Sequence, residues 1–118
     1  MNIMKLNPKY FEFMKYGTKR VEVRLNDEKR KNIKIGDIIE FKKEPDFEED
    51  IFTKIINLKY YSNFEKLVEN YKIEELANKS IDKLEFINDL NKFYTVEQQK
   101  QYGVVAIEVE LIEKEEVK

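Results

Sequence analysis

A chain of 118 residues that is 42% hydrophobic, with eight Phe and seven Tyr, has the length and apolar content for one domain with one core. It contains no Cys and no His, which excludes disulfides, thiolate chemistry, an imidazole base and the commonest zinc ligands, and leaves any catalysis to Lys, Asp, Glu, Tyr, Ser or Thr. The net charge of −2 makes a general affinity for nucleic acid unexpected, yet residues 1–43 hold 12 Lys and Arg against 6 Asp and Glu, so a local positive patch can form there unless the acidic second part neutralises it.

Ile3-Met4-Lys5-Leu6 reads as a first strand. Asn7 then caps a helix with Pro8 at its first position, where the missing N–H costs nothing. Tyr10, Phe11, Phe13 and Met14 supply its buried face. Gly17 is expected to end it in the left-handed conformation. In Gly17-Thr18-Lys19-Arg20-Val21-Glu22-Val23-Arg24-Leu25, apolar Val21, Val23 and Leu25 alternate with Arg20, Glu22 and Arg24, the period of a half-buried strand. By parity Lys19 falls on the apolar side, although its closeness to Gly17 also fits a turn.

Asp27 to Asn32 is a charged loop. Ile33 to Asp37 is a short apolar piece closed by Gly36-Asp37, and Ile38-Ile39-Glu40-Phe41 is the next strand. Glu44 to Asp50 is a hairpin loop leading into a longer strand, Phe52 to Tyr61. Ser62 or Asn63 caps a helix bearing Phe64, Leu67, Val68 and Tyr71 on one face. Ile73 to Ala77 is a short helix. Ser80 is expected to cap another, with Ile81, Leu84, Ile87 and Leu90 inward. Thr95 and Gln98 form a capping box, Gly103 stops that helix, and Val104 to Ile112 is a closing strand with an interior place in the sheet.

The order strand, helix, three strands, several helices, strand predicts an α+β fold with helices inserted into a mainly antiparallel, curled sheet or small barrel. Residues 1–112 are expected to form one domain and 113–118 a polar C-terminal tail. Alternation places Val21, Val23, Ile39, Phe41, Ile56, Leu58, Val105, Ile107 and Val109 in the core. No run is long enough to span a membrane and the start lacks a signal-peptide h-region, so a cytoplasmic location is the default expectation. The glycines stand singly at turns, so there is no phosphate loop and no cofactor is expected. Asp27 and Glu28 are adjacent loop carboxylates, weak as a metal site, and no metal is assigned.

Lys5, Leu6, Asn7, Pro8 and Phe11, followed by Gly17, Lys19, Glu22 and Arg24 at the spacing Gly-x-Lys-x-x-Glu-x-Arg, resemble the opening of ASCH domains. Ile35-Gly36-Asp37, Ile39-Glu40-Phe41, and Tyr94-Thr95 through Tyr102-Gly103-Val104-Val105 are similar to later segments, in the family's order. The resemblance spans almost the whole chain. It implies a PUA-like fold, a small mixed or antiparallel barrel with helices around it and a cleft beside the signature strand. It also implies RNA or a nucleoside-like small molecule as ligand. Some relatives are amidohydrolases of N4-acylated cytidine-type nucleosides and some are described as ribonucleases. The signature Lys of the amidohydrolases matches Lys19, but their catalytic Thr falls at Glu22. Their further Glu lies in the helical insertion and aligns with no single residue here.

Lys19 and Glu22 are therefore the candidate catalytic residues. Arg24, Arg20, Lys29, Arg30 and Tyr10 are the candidate ligand-binding ones, with Lys31 able to extend a positive rim. Tyr16, Tyr60 and Tyr61 could also stack on a base, although core packing is the more ordinary use of such rings. A desolvated Lys can serve as base or nucleophile; a Lys held protonated by Glu22 would instead stabilise an oxyanion. Arg24 and Glu22 could equally pair as structure. The leading expectation is a binding module, a monomer or weak homodimer, without turnover. The alternatives are a metal-independent hydrolase of nucleoside amides or RNA, and a protein-interaction domain using the acidic helical part.

Overall fold

The structure is a computed structural model that describes residues 2–117. Five strands form one sheet: β1 (Asn2–Leu6), β2 (Val21–Leu25), β3 (Ile38–Lys43), β4 (Asp50–Tyr61) and β5 (Val104–Ile112). Their spatial order is β1-β3-β4-β5-β2, with β1 parallel to β3 and the other pairs antiparallel. The sheet curls into a half-barrel. Its two edge strands approach each other, and Arg24 of β2 donates from Nη2 to the Lys5 carbonyl of β1 at 2.7 Å. The fold is α+β, as the element order predicts.

Helix α1 (Pro8–Lys15) begins where Asn7 accepts from the Tyr10 N–H and buries Tyr10, Phe11 and Met14. Four helices lie between β4 and β5: α2 (Phe64–Glu69), α3 (Ile73–Leu76), α4 (Lys83–Asn91) and α5 (Val96–Tyr102). Thr95 and Gln98 cap α5 reciprocally, and Gly103 stops it with φ of 71°, a value that favours glycine. Strand β5 enters the interior with Val104, Val105, Ala106 and Ile107 all buried, between β4 and β2. No helix among the described residues is long and apolar enough to cross a membrane.

Five expectations need correction. Gly17 is not left-handed. It is required because a Cβ there would lie 2.8 Å from the Phe13 carbonyl oxygen, where α1 turns toward β2. Ile56 is exposed, not core, because a bulge between Ile55 and Asn57 inserts it as an extra residue and turns it outward. Asp82, not Ser80, caps α4, accepting from the Glu85 N–H at 2.8 Å. Leu84 faces solvent and Phe86 takes the buried position, because a spacing of three drifts around a helix of 3.6 residues per turn.

Strand β2 is not half-buried either. Val21, Val23 and Leu25 face the core, as do Ile39, Phe41, Val105, Ile107 and Val109, while Leu58 packs against it partly covered. The opposite face is covered too, since Glu22 is only 6% exposed. Helix α3 lies along this edge, where the Glu75 carbonyl accepts from the Arg20 N–H at 2.8 Å.

Gly17→Ala is expected to destabilise the fold. A gain of about 0.4–1 kcal/mol from a stiffer unfolded chain is outweighed by forcing a backbone oxygen aside, which costs about 1–3 kcal/mol. Urea unfolding measures the difference; an unchanged midpoint would mean the α1–β2 turn gives way freely.

Candidate functional site

The end of α1 and the start of β2 decide where Lys19 goes. Arg20 folds back onto this turn, donating from Nη1 to the carbonyls of Met14, Gly17 and Lys19. It therefore closes the turn and does not enter the cleft. The turn directs the Lys19 stem inward, leaving the residue 1% exposed. Its ammonium meets three oxygens: the Val21 carbonyl, the Leu76 carbonyl at 2.9 Å and Glu22 Oε1 at 3.2 Å. Only the protonated form carries three donors.

Glu22 uses its second oxygen on Arg24, with Oε2 2.6 Å from Nε. One carboxylate thus bridges two cations, and Arg24 continues to the Lys5 carbonyl across the sheet gap. Burial pushes the Glu22 carboxyl up, but Arg24 and Lys19 outweigh it and hold it below the usual range. Burial pulls Lys19 below an ordinary lysine, against the opposing pull of Glu22. For Arg24, burial lowers and Glu22 more than restores, so the guanidinium stays charged. The triplet carries a formal charge of +1.

This triplet forms part of a cleft of about 230 Å³. Leu6, Asn7 and Tyr10 line it from the end of β1 and from α1, and Phe86, Asp89, Leu90, Phe93 and Tyr94 from α4 and the turn after it, with Lys5, Val23 and Glu44 also contributing. The walls are largely apolar and aromatic around a charged base, the common character of small-molecule sites. Tyr10 and Phe86 stack edge to face with ring centres 5.8 Å apart, and the Lys19 ammonium lies 5.7 Å from the Tyr10 ring and 5.9 Å from Phe86.

Of the candidates named from sequence, Lys19, Glu22, Arg24 and Tyr10 thus line one cleft. Lys29 stands exposed on the loop after β2, outside the lining. Arg30 is half-buried behind it, also outside the lining. Burial lowers its pKa, and so does the charge of nearby Arg24. The sequence reading missed the wall from α4 and its following turn. Among the described residues, the helical insertion contributes one carboxylate to the lining, Asp89. The available signal was Phe86, Phe93 and Tyr94 within nine positions, which periodicity alone reads as core.

Asp89 also latches α4 to α1. Its Oδ2 accepts from the Tyr10 hydroxyl at 2.6 Å and from Lys9 at 3.0 Å, and Lys9 also reaches Glu85. Lys15 and Lys43 pair similarly with Glu49, so the basic first part of the chain is partly neutralised by the acidic second part. Burial raises the Asp89 carboxyl, but the Tyr10, Lys9 and Lys92 hydrogen bonds prevail and hold it at about 2. A depressed carboxyl stabilises the fold above its unfolded value of 3.8 and loses that contribution as pH falls toward 2. Asp89→Asn should therefore remove an acid-side stability slope of order 1 kcal/mol after solvent screening. Parallel slopes in urea titrations of the two proteins from pH 5 to pH 2 would refute this.

The ASCH domain model matches residues 4–113. The chain is similar to the hypothetical protein PH0355, at 38% identity and TM-score 0.80, over 93% of this chain and 97% of that one. It is also similar to protein PF0455 from Pyrococcus furiosus, at 33% identity and TM-score 0.74, over 95% and 97%. A mutant of ZmASCH from Zymomonas mobilis aligns at 13% identity and TM-score 0.61, over 96% of this chain and 75% of that one, a likeness of fold alone. No curated protein matches. With its signature triplet set in the cleft and the model matched from β1 through β5, the chain belongs to the ASCH domain family.

Proposed function

We propose that the cleft binds a nucleobase or nucleoside, free or as part of RNA, and holds it without turnover. The observation that carries this reading is the bridged Lys19–Glu22–Arg24 triplet at the base of an aromatic-walled cleft. At about 230 Å³ the cleft falls below the roughly 300–1,000 Å³ of drug-sized pockets, which suits a single planar base with its sugar. Half-buried Tyr94 offers ring surface, while Tyr10 and Phe86 present only the margins left by their packing on each other. Arg24 spends one N–H on Glu22 and one on Lys5, and its planar fork has further donors for a carbonyl or phosphate oxygen.

Glu22 offsets one of the two cations, so a weakly charged ligand suits this base better than a polyphosphate. Calorimetric titration of the four ribonucleosides and their 5′-triphosphates tests the proposal. Saturable binding of at least one nucleoside, with no gain from the triphosphate, is the expected result. Absence of nucleoside binding would defeat it.

Hydrolysis of a nucleoside amide or of RNA is the second reading, favoured by the 3.2 Å contact between Lys19 and Glu22. It ranks lower because the Lys19 ammonium donates to three oxygens and must first give up a proton, and with it one of these bonds, before its amine can act as a base. The Thr hydroxyl of the amidohydrolases also has no counterpart at Glu22. Product formation from an N4-acylated cytidine would reverse this ranking.

A further inference from the structure

Phe93 stands at the mouth of the cleft, two residues beyond α4, and is 67% exposed although it is a large apolar side chain. Its neighbour Tyr94 turns inward and packs against Phe64 with ring centres 5.4 Å apart. The backbone beneath is fixed, since the N–H groups of Phe93 and Tyr94 both donate to the Leu90 carbonyl, at 3.0 and 3.1 Å. Among the described residues the Phe93 ring pairs with no other aromatic ring and no cation. Solvent exposure of such a ring contributes nothing to folding, whereas a rigid, open aromatic face is what an unstacked base needs.

Position supplies the second half of the argument. The cleft has room for about one nucleoside, so a longer strand entering it must leave its next base outside. Phe93 lies on that rim, and Lys5 also lines the cleft on the β1 side. A connecting phosphate between two bases carries a single negative charge, which a cleft whose base has a formal charge of +1 tolerates. A double helix cannot present its bases this way, because they remain stacked in the duplex.

We infer that Phe93 is a second base-stacking position, so that the ligand is a single-stranded segment with one base in the cleft and its neighbour on the Phe93 ring. This rests on the nucleoside-binding reading above. It adds a second base position on the strand and a residue that the signature does not contain.

The test uses the whole chain with four probes: a ribonucleoside, its 3′-monophosphate, the homodinucleotide of the same base, and a duplex of the same base composition. The homodinucleotide should bind about tenfold more tightly than the nucleoside, the gain of one stacked base, and the duplex should not compete. Phe93→Ala should erase that gain, so that on this variant the homodinucleotide binds no more tightly than the nucleoside, and it should leave the unfolding midpoint unchanged. Phe93→Tyr should restore the gain and Phe93→Leu should not.

A homodinucleotide no tighter than the nucleoside would overturn the inference while leaving nucleoside binding intact. A 3′-monophosphate as tight as the homodinucleotide would assign the gain to phosphate and also overturn it. Failure of every probe to bind would instead remove the nucleoside-binding reading and this inference together.

Discussion

Replacing Glu22 with Gln should cost about 3–5 kcal/mol of folding free energy, the usual consequence of removing one partner from a buried charge cluster. Domains of this size are stable by only about 5–15 kcal/mol, so the variant will sit near its unfolding threshold. The reason is geometric. Glu22 is 6% exposed and gives one oxygen to Lys19 and the other to Arg24. A Gln amide keeps one acceptor and turns an NH₂ group toward the second cation, donor against donor.

The pH dependence follows from the direction of its shift. The folded carboxyl lies below the unfolded value of 4.5 because two cations outweigh its burial. Its stabilising contribution is therefore complete above that value and lost as pH falls through the lower folded one. Glu22→Gln should lack this loss. Wild type and variant should differ most near neutrality and converge in acid, as read by urea unfolding at a series of pH values. A constant difference at every pH would mean that the carboxylate charge is not what stabilises the fold.

The same variant reports on ligand choice. Removing one negative charge raises the formal charge of the triplet from +1 to +2, so nucleotides should gain on nucleosides by about tenfold, equivalent to ~1.4 kcal/mol. A nucleotide-to-nucleoside ratio that does not move would show that Glu22 does not set ligand charge.

Local chemistry made much of the fold legible before any coordinates. Asn7-Pro8, the Thr95–Gln98 box and Gly103 each satisfy or end a helix by contacts within a few residues, and each does so in the structure. Alternation gave the core faces of β2, β3 and β5 for the same reason. It failed at Ile56, because a bulge is decided by pairing with β5, about fifty residues later. The cap at Asp82 was missed because Ser80 is an equally good capping residue in isolation.

Strand register puts Glu22 and Arg24 on one face, whereas Lys19, on the apolar side by parity, joins them through the resemblance to the signature; in the structure Lys19 lies before β2 and its ammonium reaches Glu22. The other wall of the cleft was not legible in this way, since Phe86, Asp89 and Phe93 reach it only when α4 packs on α1 through Tyr10 and Lys9. Charge alternation also suggested that Glu22 and Arg24 face water, and what covers them is a helical insertion distant in sequence.

Lys19→Met should weaken ligand binding by tenfold or more at a smaller folding cost, about 2–4 kcal/mol, and the asymmetry with Glu22→Gln is informative. Met keeps most of the buried stem, so packing survives. The carbonyls of Val21 and Leu76 lose their shared donor, each a buried acceptor left unpaired, but Glu22 retains Arg24 at 2.6 Å. Lys19 and Glu22 touch, so the double variant should cost less than the sum of the two single ones. Ligand titration must be done under conditions where both proteins are fully folded, with circular dichroism as the check. If Lys19 orients the base of the cleft as a cation, Lys19→Met will lose nucleoside affinity by tenfold or more, whereas Lys19→Arg will recover part of it. If Lys19 is instead a proton acceptor in hydrolysis, both variants will bind nucleoside normally and fail only in turnover of an acylated one. Normal nucleoside binding by Lys19→Met would therefore refute the cationic role and move the chemistry, not the affinity, onto this residue.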